Sequence, residues 1–208
     1  FVGTQDPEFL DVSKLQNITI IPHGVDLYEI NPISKNKDLI FLANFASEAN
    51  KEALECLIKD IFPVIQIDKP NIQLTIAGHN IPKKYNHKKI KNINFIGFVK
   101  NPSETIAHHK IFLNPVRAAA GMQNKVVTAL SSGTPVVTYI NAIKGMQISS
   151  EFLVAVNNND CDFAQEVIKM LNNYPSLESL NNLSSMISKE WSWDHLHKIW
   201  SQNFLEIN

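Results

Sequence analysis

The chain has 208 residues, 44% of them hydrophobic, which suffices for one large domain, or a domain with a helical appendage, and excludes disorder. A formal net charge of -1 and a pI near 6.7 argue against a nucleic-acid partner, which would ask for a strong basic excess. Cys56 and Cys161 stand far apart and outside any C-x-x-C pattern, so free thiols in a reducing, cytoplasmic setting are expected.

Residues 1–9 read as vector-encoded and stay outside the fold argument. Ile18-Thr19-Ile20-Ile21-Pro22 is a short β-branched strand, and His23-Gly24-Val25-Asp26 turns out of it into a polar loop around Pro32. The near-continuous apolar run from Asp38 to Asn44 predicts a strand covered on both faces. Helical spacing follows from Asn50 to Ile65, carried by Ala53, Leu54, Leu57, Ile58, Ile61, Phe62 and Ile65. Cys56 falls inside this pattern as a small core residue. Strands are expected from Ile72 to Gly78 and from Ile93 to Val99. Between them Lys83, Lys84, Lys88, Lys89 and Lys91 read as a solvated face.

Asn101-Pro102-Ser103-Glu104 opens a short helix that closes on His108-His109, read as a dipole-favoured C-terminal pair. A strand runs from Lys110 to Pro115. Next comes the most telling segment. Ala118-Ala119-Ala120-Gly121 has almost no side-chain bulk, and a short helix follows, with Gly133 as its C-cap and Pro135 as its stop. Free N–H groups and the positive dipole end at that helix start favour a phosphate, and Lys125 in the first turn adds a full charge. Strands follow from Pro135 to Tyr139 and from Phe152 to Val156. Asp160 or Asp162 can cap a helix running to Leu171. From Ser176 onward the chain reads as helical, with Trp191, Trp193 and Trp200 along it.

Strands alternating with helices predict an α/β fold: a Rossmann-like parallel sheet with right-handed crossovers and helices on both faces. Ligands of such sheets bind at the carboxyl ends of the strands. Here those ends carry Gly24, Asn44, Gly78, Gly97 and the loop from Ala118 to Gly121. No G-x-G-x-x-G or G-x-x-x-x-G-K-[ST] is present, and no His/Cys cluster has metal-ligand spacing. No cofactor and no metal are therefore expected.

The order of these pieces resembles the C-terminal, donor-binding half of GT-B glycosyltransferases, family 4-like, the glycosyl transferases group 1. Ile21-Pro22-His23-Gly24-Val25-Asp26 is similar to the family's "P-N-G-V-D" entry. Phe41-Leu42-Ala43-Asn44 with Asn50 and Phe62-Pro63 resembles the start of one branch. Leu74 to Gly78, Phe95 to Val99, and Gly121 to Val137 resemble three further motifs of that branch, in order. Trp191-Ser192-Trp193 before a last helix resembles the family's closing segment.

The resemblance implies a nucleotide-sugar-binding domain over residues 10–190 and a C-terminal helix over 191–208 that packs towards an N-terminal acceptor domain outside this chain. It implies that a nucleoside-diphosphate sugar is the donor substrate and that transfer to a glycan, lipid or protein acceptor retains configuration. Gly24, Asn44 and Gly78 would lie around the donor, the base near Phe98 and Val99, and the diphosphate against Gly121, Met122, Gln123 and Asn124. Lys125 would stabilise the departing diphosphate. Contact with the inner face of a membrane would come through the acceptor domain. The family's two glutamates, eight positions apart, fall here on Ala120 and Thr128. A hydroxyl at Thr128 holds a ribose less firmly than a carboxylate, and Ala120 cannot hold a sugar hydroxyl. The alternative reading is a non-catalytic GT-B relative that serves as a partner or scaffold subunit.

Overall fold

The computed structural model describes residues 24, 35–85, 89–117, 123–144, 146, 148 and 150–205. The strand expected at residues 18–22, the vector-like start, and Ala120, Gly121 and Met122 lie outside the described residues. The described residues form a six-stranded sheet in the order β3-β2-β1-β4-β5-β6, parallel throughout. Its strands are β1 (Lys37–Leu42), β2 (Leu74–Ala77), β3 (Ile93–Gly97), β4 (His109–Asn114), β5 (Val136–Tyr139) and β6 (Leu153–Val156). The helices are α1 (Glu48–Cys56), α2 (Phe62–Asp68), α3 (Pro102–Ala107), α4 (Asn124–Ser131), α5 (Asp160–Asn172), α6 (Leu177–Trp191) and α7 (Trp193–Leu205).

The apolar runs of the central strands exist because both faces are covered. Successive side chains of a strand point to opposite faces. On β1 and β4, Leu39, Phe41, Ile111 and Leu113 therefore meet α1, α2 and α5, through Leu54, Phe62, Ile65, Phe163 and Val167. Ile40 and Phe112 face the other way, onto α3, α4 and α6, through Ile106, Val126, Val127, Leu130, Leu183 and Ile187. Each such fully buried side chain contributes roughly 1.5–3 kcal/mol over leaving it in water. The polarity of the pattern fades at β3, an edge strand whose residues alternate between half-buried and exposed.

The helix expected from Asn50 to Ile65 is present, but it is not uniformly α. A π-helical turn, Leu57–Ile61, joins α1 to α2. Pro63 is the cause: it has no N–H to bond the carbonyl four residues back, and its ring crowds that carbonyl. Helix α4 closes one residue before the expected cap, with Gly133 just past its end. Gly133 adopts a φ of +61°, its N–H bonds Leu130 O at 2.9 Å, and Thr134 N bonds Ala129 O at 2.9 Å. That pairing is a Schellman motif, with Ser132 as the C-cap and Gly133 one position beyond.

Two local expectations are corrected. The cap of α5 is Asn159, not Asp160 or Asp162: its Oδ1 accepts from Cys161 N at 2.9 Å and Asp162 N at 3.1 Å. His108 and His109 are not a helix-terminal pair. His108 is the C-cap of α3, whereas His109 opens β4 and is fully buried. The terminal helical stretch also breaks once, at Ser192. That residue is extended and its hydroxyl accepts from His195 N at 3.1 Å, capping α7.

Candidate functional site

From β1 the chain crosses to β2 on one side, and from β4 to β5 on the other. This switch of direction opens a crevice at the carboxyl ends of β1 and β4, where ligands of open α/β sheets bind. The N-termini of α1 and α4 both begin beyond those strand ends. One hydrogen bond joins the two helix starts: Lys125 Nζ donates to Asn50 Oδ1 at 3.1 Å.

Lys125 is the unusual residue here. Its amine lies 5.2 Å from the centre of the Phe41 ring, at the end of β1. Burial pushes that amine down to about 7. Among the described residues its hydrogen-bond partner is the neutral Asn50 amide, not a carboxylate. Burying a cation without a counter-charge costs free energy, so the arrangement favours an anionic ligand.

Asn44, two residues past β1, ties the neighbouring loops together. Its carbonyl accepts from Asn50 Nδ2 at 2.8 Å, and its Oδ1 accepts from Ala46 N and Asn80 Nδ2, each at 3.1 Å. Gly78 closes β2 with a φ of +132°, and its N–H bonds Gly97 O at 2.6 Å. A Cβ there would stand 1.8 Å from Ala43 O. Glycine is needed at this point so that the loops after β1 and β2 can touch.

Beyond β3, Phe98 and Val99 part company. Phe98 is 63% exposed and its ring lies 4.3 Å from that of His79, tilted by 33°. Val99 turns inward and packs against the α4 side of the core. Of this pair Phe98 is the more exposed. Gln123 is the N-cap residue of α4, with its carbonyl accepting from Val126 N at 2.8 Å. Asn124 is exposed at the first helical position, and Thr128, half-buried, follows one turn later. Gly24 is buried: a Cβ there would come within 2.6 Å of the Trp193 ring, at the start of α7.

The structure thus gathers Asn44, Lys125, Gln123, Asn124 and Thr128 around two helix starts, with Phe98 on the adjoining strand ends. Asn50, Asn80 and His79 were not among the expected site residues. Asn50 had one local signal, a short amide side chain in the first turn of a helix after a strand. Nothing local marked the other two.

A second polar knot lies beside the crevice, on the α5 side. Asp160 Oδ1 accepts from Tyr139 OH, from Arg117 Nη2, and from Cys56 Sγ at 3.2 Å. Burial would raise the Asp160 carboxyl, but these hydrogen bonds outweigh it and hold it below its ordinary range. Cys56, Asp60 and Asp160 bring ligand-type atoms within 4.8 Å of one another. The chemistry does not suit a metal. Burial, with Asp160 adding to it, pushes the Cys56 thiol up to about 12, and Asp160 is already engaged by three donors. At the opposite end of the sheet, Lys35 Nζ donates to Thr134 Oγ1 at 2.7 Å. Burial pushes that amine down to about 7 as well.

The model of the glycosyl transferases group 1 family matches residues 36–173, which includes every strand described above. The chain belongs to that family. Its fold is that of a Rossmann-like half of a GT-B glycosyltransferase. A variant of S. aureus TarM, solved with Fondaparinux, alpha-GlcNAc-glycerol and UDP, superposes with a TM-score of 0.72 at 15% identity, over 97% of this chain and 43% of that one. The pneumococcal O-GlcNAc transferase GtfA, solved with UDP and GlcNAc, gives 0.72 at 17% identity, over 99% and 44%. Anabaena HepE, solved with UDP and glucose, gives 0.67 at 13% identity, over 91% and 57%. The chain therefore spans about half the length of these glycosyltransferase structures. Among curated proteins no sequence matches. No helix of the described residues is long and apolar enough to cross a membrane.

Proposed function

We propose that this domain is the donor-binding half of a glycosyltransferase and takes a nucleoside-diphosphate sugar in the crevice between β1 and β4. The observation that carries the reading is the Lys125 amine: half-buried at a helix start, beside the switch point, and held among the described residues by a neutral partner. A diphosphate supplies the missing counter-charge, and the start of α4 adds the helix dipole. The base end of the donor reaches towards Phe98, whose exposed ring offers a stacking face. UDP stands in the TarM, GtfA and HepE structures, which makes it the first nucleotide to try here.

In transfer, the bond from the anomeric carbon to the diphosphate oxygen breaks and negative charge grows on the leaving group. A charged Lys125 stabilises that charge more in the transition state than in the ground state, which is the requirement for acceleration. Retention of configuration, the acceptor, and a second domain that presents it belong to the same reading, as does operation without a bound metal or other cofactor.

Calorimetric titration with UDP, GDP and the corresponding nucleosides tests the proposal. Lys125→Ala is expected to weaken diphosphate binding by about 1.5–3 kcal/mol, the scale of a hydrogen bond to a charged group. The nucleosides are expected to bind both proteins alike. Equal diphosphate affinity for wild type and variant would remove Lys125 from the site. A second reading has one specific support, the absence of a carboxylate at Thr128 and Ala120. It takes the domain as a non-catalytic subunit, and it predicts no nucleoside-diphosphate binding at all.

A further inference from the structure

Asn50 is the residue that gives Lys125 its character. Its side-chain amide bridges two elements: Nδ2 donates to the Asn44 carbonyl at 2.8 Å, and Oδ1 accepts from Lys125 Nζ at 3.1 Å. Asn44 is in turn fixed by Asn80 Nδ2 and Ala46 N on its own Oδ1. The donor of Asn50 is thus committed, and this fixes which way its oxygen points. An aspartate in the same place could not donate to the Asn44 carbonyl, and it would neutralise the lysine. An aliphatic residue would leave the amine unanchored.

Among the described residues, the other charges near these elements are paired or exposed. On α1, Glu48 pairs with Lys51 at 2.6 Å. After β4, Arg117 pairs with Asp160 of α5. On α3, Glu104 accepts from Asn101 Nδ2 at 3.0 Å. On α6, packed along α4, Glu178, Lys189 and Glu190 are exposed. Among the described residues burial is what lowers the Lys125 amine.

We propose that Asn50 is a positioning residue: anchored on the Asn44 carbonyl, it aims the Lys125 amine into the crevice without neutralising it, so that a diphosphate supplies the counter-charge. The inference rests on the donor-site reading above, and it adds the residue that orients the amine of that site. It also gives a reason for an amide, rather than a carboxylate, in the first turn of α1.

The test is the titration of Lys125 in the unliganded chain. It is followed by NMR on isotope-labelled lysine Cε, with the resonance assigned by its loss in Lys125→Arg. In Asn50→Asp the Lys125 titration is expected to rise by roughly 1–3 pH units, as for any cation given an adjacent carboxylate. UDP affinity in that variant is expected to fall about tenfold or more, because the carboxylate competes for the amine and repels the phosphates. Asn50→Ala is the second variant. It is expected to weaken UDP binding without raising the titration, and circular dichroism verifies that both variants fold. A purely structural asparagine would change thermal stability in Asn50→Ala and leave UDP affinity there within about twofold of wild type. That result overturns the positioning role. A titration that moves in Asn50→Asp, in a chain that takes up no nucleoside diphosphate, confirms the aim of the amine and overturns the donor reading instead.

Discussion

Two side chains, Lys125 and His109, show how burial without a counter-charge sets behaviour at the scale of single residues, and Gly78 shows how a close backbone approach does. Lys125 titrates near 7 in the unliganded chain because of burial, and a bound diphosphate moves it back up. At about pH 8 the free amine is largely neutral and the bound one charged, so binding takes up a proton; at about pH 6 both are charged and it does not. Calorimetry in buffers of different ionisation enthalpy measures this uptake, and none at the higher pH would contradict it. His109 is buried with Nδ1 on Thr105 O at 2.8 Å and Nε2 on Thr75 Oγ1 at 3.0 Å. Burial pushes it down to about 4 from 6.5, so between these values the unfolded chain binds the extra proton. Stability therefore falls as pH drops through that window, by an amount on the order of 3 kcal/mol when the window has been crossed. Urea unfolding of His109→Gln is expected to show a flatter acid limb than wild type, and parallel limbs would refute the assignment. Gly78→Ala has to fit a Cβ 1.8 Å from Ala43 O at a φ of +132°. A loss of about 2 kcal/mol or more is expected in denaturant unfolding, and a loss below about 0.5 kcal/mol would show the loops to be free to part.

Among the elements, the sequence was most legible where periodicity and punctuation agree. The runs behind β1, β2, β4 and β5 are apolar because both faces are covered, and Gly133 and Pro135 mark the end of α4. The π-helical turn before Pro63 was not legible, since the apolar spacing continues through it. The choice among Asn159, Asp160 and Asp162 at α5 was not legible either. All three are good N-cap types, and the outcome turned on Tyr139, Arg117 and Cys56, which claim Asp160 from distant parts of the chain. Asn159→Ala is accordingly expected to cost about 1 kcal/mol of unfolding free energy, a cap's usual worth. If that change proves neutral, the first turn of α5 is held by the Asp160 knot instead.

At the scale of the whole molecule, the parallel sheet and the crevice at its switch point follow from alternating strands and helices, so the place of the candidate site was readable. Its detail was not. The links from Lys125 to Asn50, Asn44 and Asn80 span residues from four separate segments, and no spacing rule connects them. Val99 shows the converse: chain order puts it beside Phe98, but its side chain packs, half-buried, against the α4 side of the core. Because the chain spans about half of the GT-B structures it resembles, donor binding and transfer are expected to separate. The chain alone is expected to bind a nucleoside diphosphate and to give no acceptor-dependent product from the corresponding nucleotide sugar. Product formed by the chain alone would show that its own residues complete the reaction centre.

The most direct measurement is a crystal structure of the chain with the nucleoside diphosphate that binds it best. The account predicts a phosphate oxygen within hydrogen-bond reach of Lys125 Nζ at the start of α4, with the base towards Phe98. A nucleotide seated away from the β1–β4 crevice, or a Lys125 amine still bound only to Asn50 beside an occupied site, would contradict it.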